Sequence, residues 1–212
     1  MRWEWIPNNL GALARATVEH LVLTGVAVGV GFVISFCLAL VVYRRRSLYG
    51  PLAAIAGILY TIPSLALFAF LVPFTGLTAV TAEIGLVSYT LLILLRNTVA
   101  GFDSVAPEIR EAADGMGYGS LRRLFAVELP LAAPLMIAGL RIATVTTIGL
   151  VMVTALIGEG GLGQVMLRGF NFRNWVAVYA AGVLTVALAV IFDIVLVLLQ
   201  RLATPWARAR AG

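Results

Sequence analysis

Apolar positions in this chain fall into long unbroken runs, not into the alternating or amphipathic patterns of a soluble domain. An apolar run of about 20 residues crosses the hydrocarbon core of a bilayer as a helix. The first such run, Leu21 to Tyr43, holds no charge, and the second extends from Pro51 to Val72. The third, Ile84 to Gly101, contains Arg96; the fourth, Leu131 to Ile157, contains Arg141; the fifth, Trp175 to Gln200, contains Asp193. The pattern predicts an all-α integral membrane protein with five transmembrane helices in one domain, residues 20–203. Residues 1–19, with Trp3, Trp5, Ile6, Leu10 and Leu13, read as an interfacial helix. Residues 204–212 read as a tail.

Arginine placement orients the bundle. Arg44, Arg45 and Arg46 follow the first run directly and belong in the cytoplasm by the positive-inside rule, which puts the N-terminus outside. Five crossings then make 102–130 and 201–212 cytoplasmic. These carry Arg110, Arg122 and Arg123, and Arg201, Arg208 and Arg210; the outer segments hold only Arg2, Arg15, Arg168 and Arg173. The first run is too long for a signal-peptide core and has its charges on the wrong side, so it reads as an uncleaved anchor.

Composition agrees with a lipid solvent. Of 212 residues, 61% are hydrophobic and 12% charged, with a mean hydropathy of +1.02; a soluble domain is roughly a quarter charged. Cys37 is the single cysteine, so no intrachain disulfide or cysteine metal cluster forms. All 15 basic residues are Arg. A P-loop needs a Lys that reaches the terminal phosphates. If ATP drives this protein, another chain binds it.

The segment 102–130 is long and patterned. Asp103 and Ser104 are helix-start residues and Pro107 suits a first turn. Val105, Ile109, Ala112, Ala113 and Met116 then share one face at helical spacing, and Gly115, Gly117 and Gly119 end the helix. Ser120 suits the cap of a second helix with Leu121, Leu124, Phe125 and Val127 as apolar positions, and Pro130 marks the junction with the fourth span. Two short amphipathic helices joined by a glycine-rich turn either lie on the membrane surface or pack on the bundle, or protrude as a knob into a groove on a partner. For the knob, Ala112 and Ala113 allow close approach and Glu111 offers a charge.

These residues resemble the EAA loop of permease subunits of bacterial binding-protein-dependent ABC importers. The family pattern is E-A-A, three residues, G, nine residues, then I-x-L-P. Here it runs Glu111-Ala112-Ala113, Gly117, Val127-Glu128-Leu129-Pro130, with Val127 in place of Ile. The resemblance extends from about His20 to Arg201 and implies the small methionine-importer type of type I permease fold, N-terminus out and C-terminus in. Tyr60 through Leu67 and Leu95-Arg96-Asn97-Thr98 are similar to permeases of osmoprotectant importers for glycine betaine, choline or carnitine. Ile157 through Gly163 is similar as well, though variants also occur in methionine-type permeases, so the resemblance leaves the permease of a methionine-type amino-acid importer as the alternative function.

The resemblance implies docking of the loop on cytoplasmic ATPase subunits through Glu111, Ala112, Ala113, Gly117, Leu129 and Pro130. It implies two ATPase subunits, a second permease copy or similar subunit, and an external solute-binding protein. ATP and Mg²⁺ would sit in the ATPase, leaving no cofactor, metal or catalytic residue in this chain. Lipid is the surrounding partner, and no nucleic acid is expected.

Other residues carry two readings each. Gly158-Glu159-Gly160-Gly161-Leu162-Gly163 matches a dinucleotide fingerprint but follows a membrane span, so it reads as a tight turn near an external gate. Glu159 there is a solvated loop charge or a contact to the gate or binding protein. Arg141 and Asp193 lie roughly 12–15 Å from the cytoplasmic ends of their spans and are expected to pair or to face the bundle interior. Thr144, Thr146, Thr147 and Thr154, with Ser88, Tyr89 and Thr90, line a polar path or simply pack helices. Ser64, Asn97 and Gly161 complete the candidate path and gate. Tyr60 and Tyr89 have faces that attract quaternary ammonium groups, and Pro63 and Pro73 read as kink and end signals. His20, the only histidine, reads as an interfacial polar residue or a proton relay. A membrane enzyme would need paired carboxylates, a histidine cluster or an activated nucleophile. An ATP-independent secondary transporter leaves the patterned loop unexplained.

Overall fold

The computed structural model describes residues 3–205, and the expectations for Arg2, Arg208, Arg210 and the tail beyond 205 lie outside them. Helix α1 (Trp5–Asn8) is a single turn packed on the C-terminal helix. Helix α2 (Leu10–Arg44) runs 35 residues without a break. Residues 10–19 therefore continue the first span, and no structural boundary falls at residue 19. The reason is local: Pro7 and the Asn8-Asn9 pair interrupt the backbone, whereas alanines and leucines carry the helix onward from Leu10.

The second apolar run is not one straight helix. It forms α3 (Tyr49–Thr61) and α4 (Ser64–Thr75), which bend by 96° at the break. Proline at 63 disfavours helical geometry in the residue before it, and Ile62 is extended at φ −64°, ψ 129°. Among the described residues, counting this bent pair as one span gives five spans with α2, α5 (Ala79–Asp103), the continuous helix 120–151, and α10 (Trp175–Ala203).

Helix α5 is the hub, packing on α2, α3, α4 and α8 (Leu129–Val151). Glycine permits the tightest crossings: a Cβ at Gly101 would lie 2.8 Å from the Ala132 carbonyl oxygen, and one at Gly139 would lie 2.5 Å from Asn97 Cβ. The apolar core divides by depth. Ala39, Val42, Leu95, Val99, Phe102, Leu124, Ala132 and Met136 form the cytoplasmic half. Leu23, Ala27, Phe68, Ala82, Leu86, Val151 and Ile157 form the outer half.

The loop helices differ from expectation. Asp103 and Ser104 do not start a helix: Asp103 is the last residue of α5 and Ser104 its C-cap, and Ala106 takes the N-cap position before Pro107. Helix α6 (Pro107–Gly115) stands alone, but α7 (Ser120–Arg123) continues through a π-helical turn, Leu124–Glu128, into α8. Ser120 is inside the helix rather than its cap. Pro130 does not break the chain there. A proline lacks the N–H for its i−4 carbonyl and crowds it, and the widened turn just before it absorbs that misfit. Beyond α8, a 3₁₀ turn (Val153–Ile157) and a glycine loop lead into α9 (Leu162–Asn171), an outer helix that the glycine-turn reading did not anticipate.

Candidate functional site: the cytoplasmic loop

Helix α6 begins with Pro107 in its first turn beside Glu108, which suits the positive helix end. It ends at Gly115 with Met116 as its C-cap, and Gly117 follows with a φ of +81°, a left-handed value that favours glycine. The Gly117 N–H donates to the Asp114 carbonyl at 2.9 Å and that of Tyr118 to the Ala113 carbonyl at 3.1 Å. The face expected to be uniformly apolar is split. Val105 and Ala113 are buried and Ile109 is half-buried, whereas Ala112 and Met116 are exposed, Met116 at 68%, beside the exposed Glu111. The outward surface is thus a small-residue patch with one adaptable methionine and one carboxylate, a composition suited to docking.

Ion pairs fix this orientation. Glu128 is fully buried. Its Oε1 accepts from the Tyr43 hydroxyl at 2.6 Å and from Arg123 Nε at 2.9 Å, and its Oε2 accepts from Arg110 Nε at 3.0 Å. Arg110 Nη2 also donates to the Phe102 carbonyl at 2.6 Å. Arg123 Nη1 donates to Asp114 at 2.6 Å and its Nη2 to the Tyr43 hydroxyl at 3.2 Å. Two guanidiniums and two carboxylates balance, so the buried charge is compensated. The cluster holds together α2, the end of α5, α6 and α7. Sequence reasoning missed it as a unit. The available signal was Glu128, a lone carboxylate between Val127 and Leu129. Leu129 and Pro130 are half-buried at the start of α8, away from the exposed patch of α6.

Within the spans, Arg141 and Asp193 are ion-paired, with Nε and Nη2 donating to Oδ1 at 3.0 and 2.9 Å and Nη2 to Oδ2 at 3.2 Å. Tyr89 is buried and its hydroxyl donates to the Ile62 carbonyl at 2.5 Å, satisfying an acceptor in the α3–α4 break. Tyr60 lies edge-on to it, 6.1 Å between ring centroids, and is 39% exposed. Pro63 is exposed at the bend and Ser64 half-buried after it. Asn97 donates to the Ile93 carbonyl at 2.8 Å and packs on Gly139. Thr144 and Thr147 are buried on α8.

On the outer side, Gly158, Gly160 and Gly161 all have positive φ. A Cβ at Gly161 would overlap the Ala16 carbonyl, and its N–H donates to Glu19 Oε1 at 3.3 Å. Glu159 is half-buried. His20 is fully buried beneath this loop, not interfacial, with Nε2 2.9 Å from the Ile148 carbonyl oxygen.

Comparison with known proteins agrees with this architecture. Residues 29–205 match the family model described as binding-protein-dependent transport system inner membrane component. The osmoprotectant import permease protein OsmW of Salmonella typhimurium is 36% identical, over 93% of this chain and 94% of its own. The choline transport system permease protein OpuBB of Bacillus subtilis is 34% identical, over 95% and 93%. A chain of the inward-facing MetNI methionine ABC transporter superposes with a TM-score of 0.81 at 24% identity, covering 92% of this chain and 97% of that one, and shares the fold. The chain belongs to the family of binding-protein-dependent transport system inner membrane components. It is a transport subunit of the bacterial inner membrane with the type I ABC importer permease fold, not an enzyme. Membership in this family implies partnership with a solute-binding protein and a separate ATPase.

Proposed function

We propose that this chain is the permease of an ATP-driven importer for a small compatible solute, namely glycine betaine, choline, carnitine or a similar quaternary ammonium. Two copies, or this chain with a similar subunit, wall the solute path. Each of two cytoplasmic ATPase subunits receives one α6 in a surface groove, and those subunits bind the ATP and Mg²⁺. A binding protein docks outside and delivers the solute. Closure of the ATPases moves the two α6 knobs and, through them, the spans. Tyr60, Pro63, Ser64, Tyr89, Asn97, Thr144, Thr147, Glu159 and Gly161 are proposed to lie along the path or its outer gate.

The observation that carries this reading is the exposed Glu111–Ala112–Met116 surface, held rigidly at the cytoplasmic end of the bundle by the Glu128 cluster. The names of the relatives support the solute class. The test is uptake of radiolabelled glycine betaine and choline by proteoliposomes containing permease, ATPase and binding protein. Uptake is expected to require internal or external ATP on the ATPase side, and Glu111→Arg is expected to abolish it while permease yield stays normal. Normal uptake by that variant removes Glu111 as the docking charge. Uptake driven by an ion gradient without the ATPase removes the importer reading.

A further inference from the structure

We propose that α2 acts as a rod that carries movement of the cytoplasmic loop to the outer glycine loop. The inference rests on the docking reading above and adds a route for the force. Tyr43, in the last turn of α2, donates to Glu128 and accepts from Arg123, so the cytoplasmic end of α2 is tied into the loop by buried polar contacts. Its ring also lies 5.6 Å from that of Phe102 at the end of α5.

The outer end of the same helix is tied as closely. Gly161 sits against the Ala16 carbonyl and the His20 backbone, where a Cβ would come within 2.7 Å of the His20 nitrogen. Glu19 accepts from the Gly161 N–H at 3.3 Å, and the His20 ring reaches the Ile148 carbonyl at 2.9 Å. At 1.5 Å per residue, Tyr43 and His20 are about 35 Å apart along the helix. Between them no proline interrupts α2, and it packs on α5 and α8.

The alternative route, straight up α8, has a soft point. The π turn at Leu124–Glu128 breaks the regular i→i−4 ladder where α7 enters α8. Glu128 closes that turn and is bonded sideways to Tyr43. A push on α6 therefore reaches α2 through Glu128 and Arg123, both bonded to the Tyr43 hydroxyl, before it reaches the upper part of α8. Tyr43, Glu128 and Glu19 are positioning residues in this scheme: they touch no solute.

The experiment uses the complete transporter in proteoliposomes. Tyr43→Phe removes one hydroxyl and leaves the Arg110–Glu128, Arg123–Glu128 and Arg123–Asp114 pairs in place. Glu19→Ala removes the acceptor of the Gly161 N–H at the opposite end of the rod. Two responses are read: solute imported per ATP hydrolysed, and the ATP-dependent change in thiol-labelling rate of Glu159→Cys in a Cys37→Ser background. In both variants the ATPase co-purifies and its turnover stays within about twofold of the parent, while solute per ATP falls about fivefold, the size of a coupling loss near 1 kcal/mol. The labelling response disappears. Either response remaining at parental size overturns the rod, as does an equal fall in ATPase turnover and uptake, which is the signature of an assembly defect. Failure of the underlying function shows in the parent, as uptake that ignores ATP; failure of the rod shows only in the variants.

Discussion

Single residues in this protein divide by what surrounds them, and glycine shows it best. Gly101 lies where α5 meets α8, and a methyl group there would press on the Ala132 carbonyl at 2.8 Å. Gly115 ends α6 with nothing within 4 Å of its Cβ position. Gly101→Ala is expected to cost about 1–3 kcal/mol through overpacking of a helix crossing. Gly115→Ala is expected to gain about 0.5 kcal/mol from helix propensity. Thermal unfolding of the detergent-solubilised permease checks both: the midpoint falls for the first and holds or rises for the second. The same scale explains why the Glu128 cluster was hard to foresee. Arg110, Arg123 and Tyr43 lie 18, 5 and 85 residues from Glu128. None of these is the three- or four-residue separation at which an α-helix puts side chains on one face; the π turn at Leu124–Glu128 is what brings Arg123 beside Glu128.

At the level of elements, hydrophobic runs located the spans because run length and lipid thickness are directly linked. Irregularities were less legible. Pro63 marked the place of a break, but the 96° angle follows from how α3 and α4 each pack on α5, which no local pattern encodes. Pro130 announced a junction, and the chain met it with a π turn instead of an end. Helix α9 was hidden behind three positive-φ glycines that read as a loop. The break has its own support. Ile62 loses its helical hydrogen-bond partner, and the Tyr89 hydroxyl replaces it at 2.5 Å. Tyr89→Phe leaves that carbonyl without its donor in an apolar setting and is expected to lower stability by about 1 kcal/mol. The unfolding midpoint should drop while ATPase co-purification persists. An unchanged midpoint would mean that the Ile62 carbonyl finds water at the bend.

Across the whole molecule, buried residues of α10 are confined to its first three turns, Val176, Ala177, Ala181 and Thr185. Farther along, Val186, Val190, Ile191 and Ile194 are exposed and apolar, a surface that demands lipid or a neighbouring chain. Asp193 sits on this stretch, and its pairing with Arg141 of α8 is what makes the surface tolerable at membrane depth. Helices α8 and α10 are thus joined by an electrostatic tie near mid-depth in addition to Gln200, which donates to the Pro134 carbonyl at 3.1 Å lower down. Removing one partner strands the other charge. Asp193→Leu is expected to cost about 2–3 kcal/mol, the penalty for an unpaired arginine within a membrane helix. Arg141→Leu with Asp193→Leu together should recover most of it, since replacing a paired set of charges by apolar groups is often neutral. The measurement is the yield of monodisperse permease after extraction, with parent, both single variants and the double variant in one cycle. If the double variant is no better than Asp193→Leu alone, the two charges act separately, and Arg141 then has a role of its own, beyond neutralising its partner.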